Sequence, residues 1–334
     1  MRDLSDTTAL RVTAPARLHL GFLDLNGEIG RRYGSIGLAI DQPATEIVVR
    51  RAAADSASGS EAARALSTLA RLREVAHLGG CFDIHVARAI PAHAGLGSGT
   101  QLALAVAAAC LSLAGEPRRP EVMAALADRG RRSAIGIAAF EGGGFIVDGG
   151  RGPFDRPPPV LIQHPFPAEW RVLLALDPAA TGVHGDRETR AFAALQPMPR
   201  ATAAHLSHLV LMRAAPALIE ADITAFGAAI ADIQRIVGAH FAAEQGGSMW
   251  SNPKVGDLMQ RLGAAGAHGI GQSSWGPTGF AFADSENVAS SLYHSFVGEA
   301  KALGLELVVV AGRNGGAEIA NCERAADRIH EIGQ

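Results

Sequence analysis

Residues 90–109, IPAHAGLGSGTQLALAVAAA, concentrate the side chains of this 334-residue chain best suited to chemistry. Gly95, Gly97 and Gly99 free the backbone for positive φ, and Ser98 and Thr100 place hydroxyls where the following apolar run starts a helix. The first amides of a helix have no partner within it, so a loop of this kind suits an anion, phosphate above all. Taken alone, the same glycines also suit a plain structural turn. Two common phosphate cradles are excluded: no Lys lies near Gly99 as a Walker loop requires, and Thr100 stands where a dinucleotide fingerprint needs its third glycine. Serine-hydrolase chemistry is disfavoured because Ser98 lacks the G-x-S-x-G spacing. His85, His93, His164, His184, His205, His208, His240 and His268 are scattered and form no metal-binding spacing; of these His93 lies inside the loop. Cys81, Cys110 and Cys322 are odd in number and contain no CxxC, which argues against a disulfide framework or a zinc site.

Such a loop needs a strand to deliver it and a helix to receive it. CFDIHVARAIP alternates, with Phe82, Ile84 and Val86 on one face, and reads as that strand. Residues 102–114 read as a buried helix, too short for the roughly 20 residues that span a bilayer. Upstream, ALRVTAPARLHLGFLDL has strand character on both sides of Pro15, and TEIVVR is a strand after a turn at 41–43. A helix follows from about 61 to 76, stopped by Gly79 and Gly80. Downstream come a helix over 120–132, a glycine-rich hairpin in GIAAFEGGGFIVDGG, the strand WRVLLALD and a mostly helical stretch at 203–242. Helix, turn and strand then cover 253–282, and LELVVVA is a last strand. The Ala/Ser tract at 52–65 reads as a mobile connection. The triple proline at 157–159 marks a boundary between a domain at 1–156 and another at 157–334. With a net charge of -3, a pI near 6.5 and no block of five basic residues, no nucleic-acid partner is expected. MRDLSDTTAL lacks the apolar core of a secretory signal, so the cytoplasm, and no membrane, is the expected setting.

PAHAGLGSGTQLALA resembles the second motif of the GHMP kinase superfamily, and APARLHLGFLDLNG and GAHGIGQSSWGPTGFAF resemble the first and third. More narrowly, RLHLGFLDLNGEIGRRYGSIGLAI, SAIGIAAFEGGGFIVDGG and GIGQSSWGPTGF are similar to the β-ribofuranosylaminobenzene 5'-phosphate synthase family, a branch that phosphorylates nothing. The resemblance implies an α+β, GHMP kinase-like two-domain fold: an N-terminal ribosomal-protein-like domain and a C-terminal ferredoxin-like sandwich. It implies a decarboxylating C-ribosyltransferase of methanopterin-type cofactor synthesis. Such an enzyme joins 4-aminobenzoate or 4-hydroxybenzoate to phosphoribosyl pyrophosphate (PRPP) with loss of CO2 and pyrophosphate; Mg²⁺ is the implied cofactor, and dimers are common among relatives. Departures from the kinases agree with this. Gly99 replaces a second loop serine, and Ala138 stands where kinases place an acid. The alternatives are a related C-nucleoside synthase using a heteroaromatic carboxylate, an ATP-dependent small-molecule kinase, and a noncatalytic sensor of a phosphorylated metabolite.

Departure of pyrophosphate leaves an oxocarbenium-like sugar, which calls for a cation beside the leaving group and a carboxylate near the sugar. On the resemblance, Asp24 and Arg31 of FLDLNGEIGRR suit these roles, Asp24 through ribose or Mg²⁺ and Arg31 through phosphate or carboxylate. The alternatives are that Asp24 caps its turn with Asn26 and Gly27, and that Arg31 is a solvated charge. The expected phosphate loop comprises His93, Gly95, Leu96, Gly97, Ser98, Gly99, Thr100 and Gln101, with Arg17 and His19 sharing a strand face beside it. Glu141 could hydrogen-bond the para substituent or ligate Mg²⁺, or be a structural acid. Ser133 has a weaker claim. Gln272, Ser273 and Ser274 offer neutral donors, Trp275 could cover an aromatic ring or simply be buried, and Lys254 reaches either a phosphate or water.

Overall fold

The computed structural model describes residues 9–127, 133–154, 156–182 and 185–322. β1 (Ala9–Phe22) buries Val12, Ala14, Ala16, Leu18 and Leu20 completely and pairs antiparallel with β2 (Ser35–Ala52). Pro15 lies at a register shift, the place where a strand tolerates a missing N–H. The expected turn at 41–43 is not a turn. Pro15 pairs with Ala44 and Ala16 with Ile40, so Asp41, Gln42 and Pro43 bulge from one continuous strand.

The 52–65 tract forms β3 (Ser56–Gly59) and leads into α1 (Ala62–Ala76); β3 runs parallel to β4 (Cys81–Arg88). Next come α2 (Ser98–Ala114), α3 (Pro120–Leu126) and α4 (Ile135–Glu141). The expected helix at 120–132 is helical to Leu126, and 128–132 lie outside the described residues. The expected hairpin at 135–149 is instead α4 followed by β5 (Phe145–Asp148), which pairs with β2 and with β6 (Val160–His164). α2 is buried from Gln101 through Leu111, as a helix apolar on all sides must be.

The second half starts with β7 (Arg171–Leu176), followed by α5 (Gly185–Ala194), α6 (Arg200–Leu209), a π-helical turn at Val210–Ala214, α7 (Ala215–Ile219), α8 (Ile223–Phe241) and α9 (Pro253–Ala264). β8 (His268–Gln272), β9 (Gly279–Ala283), α10 (Glu286–Ala302) and β10 (Glu306–Ala311) complete an antiparallel sheet in the order β10-β7-β9-β8. That is the ferredoxin-like order, with a helical excursion between its first two strands. Period-two alternation splits it cleanly: Phe280 and Phe282 face the core beneath α8, whereas Ala281 and Ala283 face α9 and α10.

The last strand, β11 (Glu318–Cys322), returns to pair with β1. The first sheet therefore takes both β6 and β11 from beyond residue 157, and the proline tract does not mark its edge. One apolar core runs from Leu18, Leu20 and Phe22 of β1 to Ile230, Ile233, Phe280 and Phe282, joining the halves.

Candidate active site

All three glycine-rich motifs converge at the start of α2. The loop before it carries positive φ at His93, Gly95 and Gly97, while Gly99 lies within the first helical turn. Its carbonyls are pinned: Arg17 donates from its amide to Leu96 O (3.1 Å) and from its guanidinium to Gly95 O (2.5 Å), and Thr278 Oγ1 donates to Ala94 O (2.7 Å). Ser273 Oγ donates to Gly95 O (2.7 Å) and accepts from the His19 amide (3.0 Å), and the Ser274 amide donates to His19 O (3.2 Å). Gly95 and Gly276 cross backbone to backbone; a Cβ on Gly276 would meet Gly95 Cα at 2.5 Å. With its carbonyls held, the loop turns the amides of Ser98, Gly99 and Thr100 outward. Among the described residues none of the three meets an acceptor; Gln101 is the first whose amide does, at Gly97 O (3.0 Å).

The cations beside this loop are Arg17 and Arg64. A Cβ on Gly97 would meet Arg17 Cγ at 3.2 Å, and one on Gly99 would meet the Arg64 guanidinium at 3.1 Å. Arg64, in the first turn of α1, also pairs with Glu61 at 3.0 Å. Arg31, expected to bind phosphate or carboxylate, is placed elsewhere. Its Nε and terminal nitrogen donate to Gly149 O (2.7 Å) and Gly150 O (2.8 Å), tying the early turn to the end of β5.

That turn lies five residues beyond His19, roughly 16 Å of extended strand, so one ligand touching both must lie along β1. Asp24 Oδ1 accepts from the amides of Asn26 (2.7 Å) and Gly27 (2.8 Å), the capping arrangement, which leaves Oδ2 as the oxygen the turn does not use. Asn26 donates to Met198 O (2.7 Å), binding the turn to the segment before α6. Phe22, Tyr33, Phe192, Phe241 and Trp275 form an edge-to-face cluster beside it, with Trp275 stacked on Phe192 at 5.0 Å. A narrow cleft of about 20 Å³, lined by His19, Phe22, Phe241, Gln272 and Ser274 among others, opens between cluster and loop.

Other expected residues serve the framework. Leu96 is fully buried in the shared core. The Gln272 side chain accepts from the Ser251 amide and donates to Gln245 Oε1 and Ser274 O. Gln101 Nε2 donates to Gly136 O (2.8 Å), joining α2 to α4. His93 O accepts from the Gly182 amide (3.0 Å). Glu141 is exposed at the end of α4, its backbone against Gly316, and no described contact joins it to the loop or the turn. Lys254 is exposed in the first turn of α9, and Trp275 is buried. Ser133 donates to Asp148, a buried carboxylate that also accepts from the amides of Ser35, Ala134 and Gly150. Burial pushes Asp148 above the usual carboxylate range, against the pull of those four bonds.

Comparison with known proteins agrees with this geometry. The family described as GHMP kinases N terminal domain matches residues 61–144, and GHMP kinases C terminal matches 214–301. A protein named Beta-ribofuranosylphenol 5'-phosphate synthase from Methanothermobacter thermautotrophicus is 35% identical, covering 92% of this chain and 98% of its own. One of the same name from Archaeoglobus fulgidus is 34% identical, covering 93% and 99%. Among solved structures, a homoserine kinase from Cytophaga hutchinsonii superposes with a TM-score of 0.67 at 17% identity, over 96% of this chain and 99% of the other. A mevalonate diphosphate decarboxylase from Staphylococcus aureus does so at 0.64 and 17%, over 94% and 98%. The last two show the fold.

Proposed function

Since the chain belongs to the family of β-ribofuranosylphenol 5'-phosphate synthases, enzymes of the pentosyltransferase type built on the GHMP fold, we propose that it transfers ribose 5-phosphate from PRPP to the ring carbon of a 4-substituted benzoate. CO2 and pyrophosphate leave. The relatives' name describes a phenol product, which favours 4-hydroxybenzoate over 4-aminobenzoate.

The observation that carries this reading is the set of outward amides at Ser98, Gly99 and Thr100 with Arg17 and Arg64 alongside. Those donors suit the diphosphate and its growing charge as the C1–oxygen bond breaks, without reorganising at the moment of reaction. Asp24 is proposed to steady the sugar's positive charge through Oδ2. The arene ring carbon bearing the carboxylate then attacks C1, and the C–COO⁻ electron pair restores aromaticity as CO2 departs, so alignment is the main demand on the protein. The described residues contain no group of three or more His, Cys, Asp or Glu side chains able to hold a metal, and Asp24 commits one oxygen to its turn. This donor set does not build a resident cage for Mg²⁺. The ion is proposed to arrive on the diphosphate, held by phosphate oxygens and water.

Incubation with PRPP, Mg²⁺ and carboxyl-labelled 4-hydroxybenzoate should release labelled CO2 in step with pyrophosphate. Sustained conversion of ATP to ADP with a hydroxylated acceptor, and no CO2, would overturn the reading.

A further inference from the structure

His240 stands next to last in α8, where the helix end meets the early turn and the segment before α6. Its ring donates to the backbone carbonyl of Gln196. Among the described residues Nε2 is buried and has no hydrogen-bond partner, so Nδ1 is the donating nitrogen and Nε2 carries the lone pair of the neutral ring. Arg32, the neighbour of the clamped Arg31, has a buried Nε that likewise meets no acceptor among these residues, and its guanidinium lies 5.3 Å from the centre of the Tyr33 ring. The field of Arg32 reaches His240. Trp275 Nε1 is a third buried nitrogen lacking a described partner, on the ring that stacks against Phe192.

Folding leaves such groups unsatisfied at a cost, so their clustering at one end of an aromatic cluster points to a guest that satisfies them. The complement of one acceptor and nearby donors around aromatic rings is an arene whose oxygen both donates and accepts. A phenol does both, whereas an arylamine offers N–H groups and only a weak acceptor to Arg32. We propose that His240 is the general base for the phenolic proton of the acceptor arene, with Arg32 holding the oxygen. The inference rests on the transferase reading above and names the arene class. The cleft lined by His19, Phe22 and Phe241 has room for about one water, so it must widen as the ring enters.

The step balances. The phenol O–H bond breaks and its proton goes to Nε2, while the oxygen electron pair flows through the ring to the carbon bearing the carboxylate. That carbon bonds to C1 of the sugar as the C1–oxygen bond to pyrophosphate breaks. The C–COO⁻ bond then gives its electrons back to the ring, CO2 leaves, and the phenolate recovers its proton from His240. Burial first, and then the charge of Arg32, lower the affinity of His240 for a proton, which keeps the ring in its basic form at neutral pH.

The full-length protein and its His240→Asn variant are compared by CO2 release from PRPP with 4-hydroxybenzoate, 4-aminobenzoate and 3,5-difluoro-4-hydroxybenzoate. The fluorinated phenol ionises near neutral pH and needs no base. The variant should lose about 10²- to 10⁴-fold in kcat with 4-hydroxybenzoate. It should change little with 4-aminobenzoate and recover most of the loss with the fluorinated acid. Equal losses with all three acids would overturn the role of His240. If the wild type accepts only hydroxy acids, the fluorinated one decides alone; if it releases CO2 from none, the transferase reading itself fails. His240→Gln, measured the same way, covers a variant that does not fold.

Discussion

Gly276→Ala tests whether the third motif sets the position of the phosphate loop. Gly276 has no positive φ to forbid alanine, so its methyl group meets one obstacle, the loop backbone. An ideal Cβ lies 2.5 Å from both Ala94 O and Gly95 Cα, roughly 0.9 Å short of the 3.4 Å where ordinary contact begins. Neither atom belongs to a flexible side chain, so the two backbones must part by nearly an ångström. Overpacking of this kind costs about 1–3 kcal/mol of stability. A shift of about 1 Å in a positioning element costs about 100-fold in rate. The expected result is a folded variant whose kcat/KM for PRPP falls about 100-fold, read by CO2 release, with a lowered unfolding midpoint. Gly298→Ala is the control: its Cβ meets nothing within 4 Å and it lies inside α10. That change should leave activity untouched and raise stability by about 0.5–1 kcal/mol. A folded Gly276→Ala protein with wild-type kcat/KM would refute the reasoning.

Arg64→Ala should raise KM for PRPP about 10- to 150-fold, the worth of one charge-assisted hydrogen bond. It should change unfolding free energy by less than about 1 kcal/mol, since its ion pair with Glu61 is half exposed; an unchanged KM would remove Arg64 from the site. Asp148→Asn leaves one oxygen and an NH2 group facing four donors, so denaturant titration should show a loss of about 2–5 kcal/mol, and a loss under 1 kcal/mol would contradict that count. Burial pushes the Cys110 thiol up to about 12, with Asp55 adding to the shift. A thiol reagent at pH 8 should therefore leave Cys110 unlabelled in the folded protein and modify it on unfolding; rapid native labelling would show that α2 opens.

The phosphate loop was legible because its chemistry is local: glycines at alternate positions before an apolar run describe the loop and the helix together. The strand at 81–88 and the helix at 62–76 were legible for the same reason, through their own periodicity. Residues whose roles depend on long-range pairing were not. Arg31 and Arg32 are alike and adjacent in sequence. The bridge between Arg32 and Arg151 and the carbonyls of Gly149 and Gly150 decide which one is clamped and which one turns towards the aromatic rings. Arg64 reaches Gly99 because α1 packs beside α2, and no local pattern near residue 64 announces this. The residues at 41–43 have turn chemistry but form a bulge, since strand pairing continues on both sides. His240 looked like one more scattered histidine until α8 carried it to the early turn. Gln272 looked like a free donor and is consumed by Ser251, Gln245 and Ser274.

The most direct measurement follows the backbone amide resonances of Ser98, Gly99 and Thr100 by NMR during titration with pyrophosphate, PRPP and ribose 5-phosphate. All three should shift and saturate with the two diphosphates and stay in place with ribose 5-phosphate. If they remain unmoved while the same sample, saturated with PRPP, releases CO2 from the arene, the diphosphate is held elsewhere and the account is contradicted.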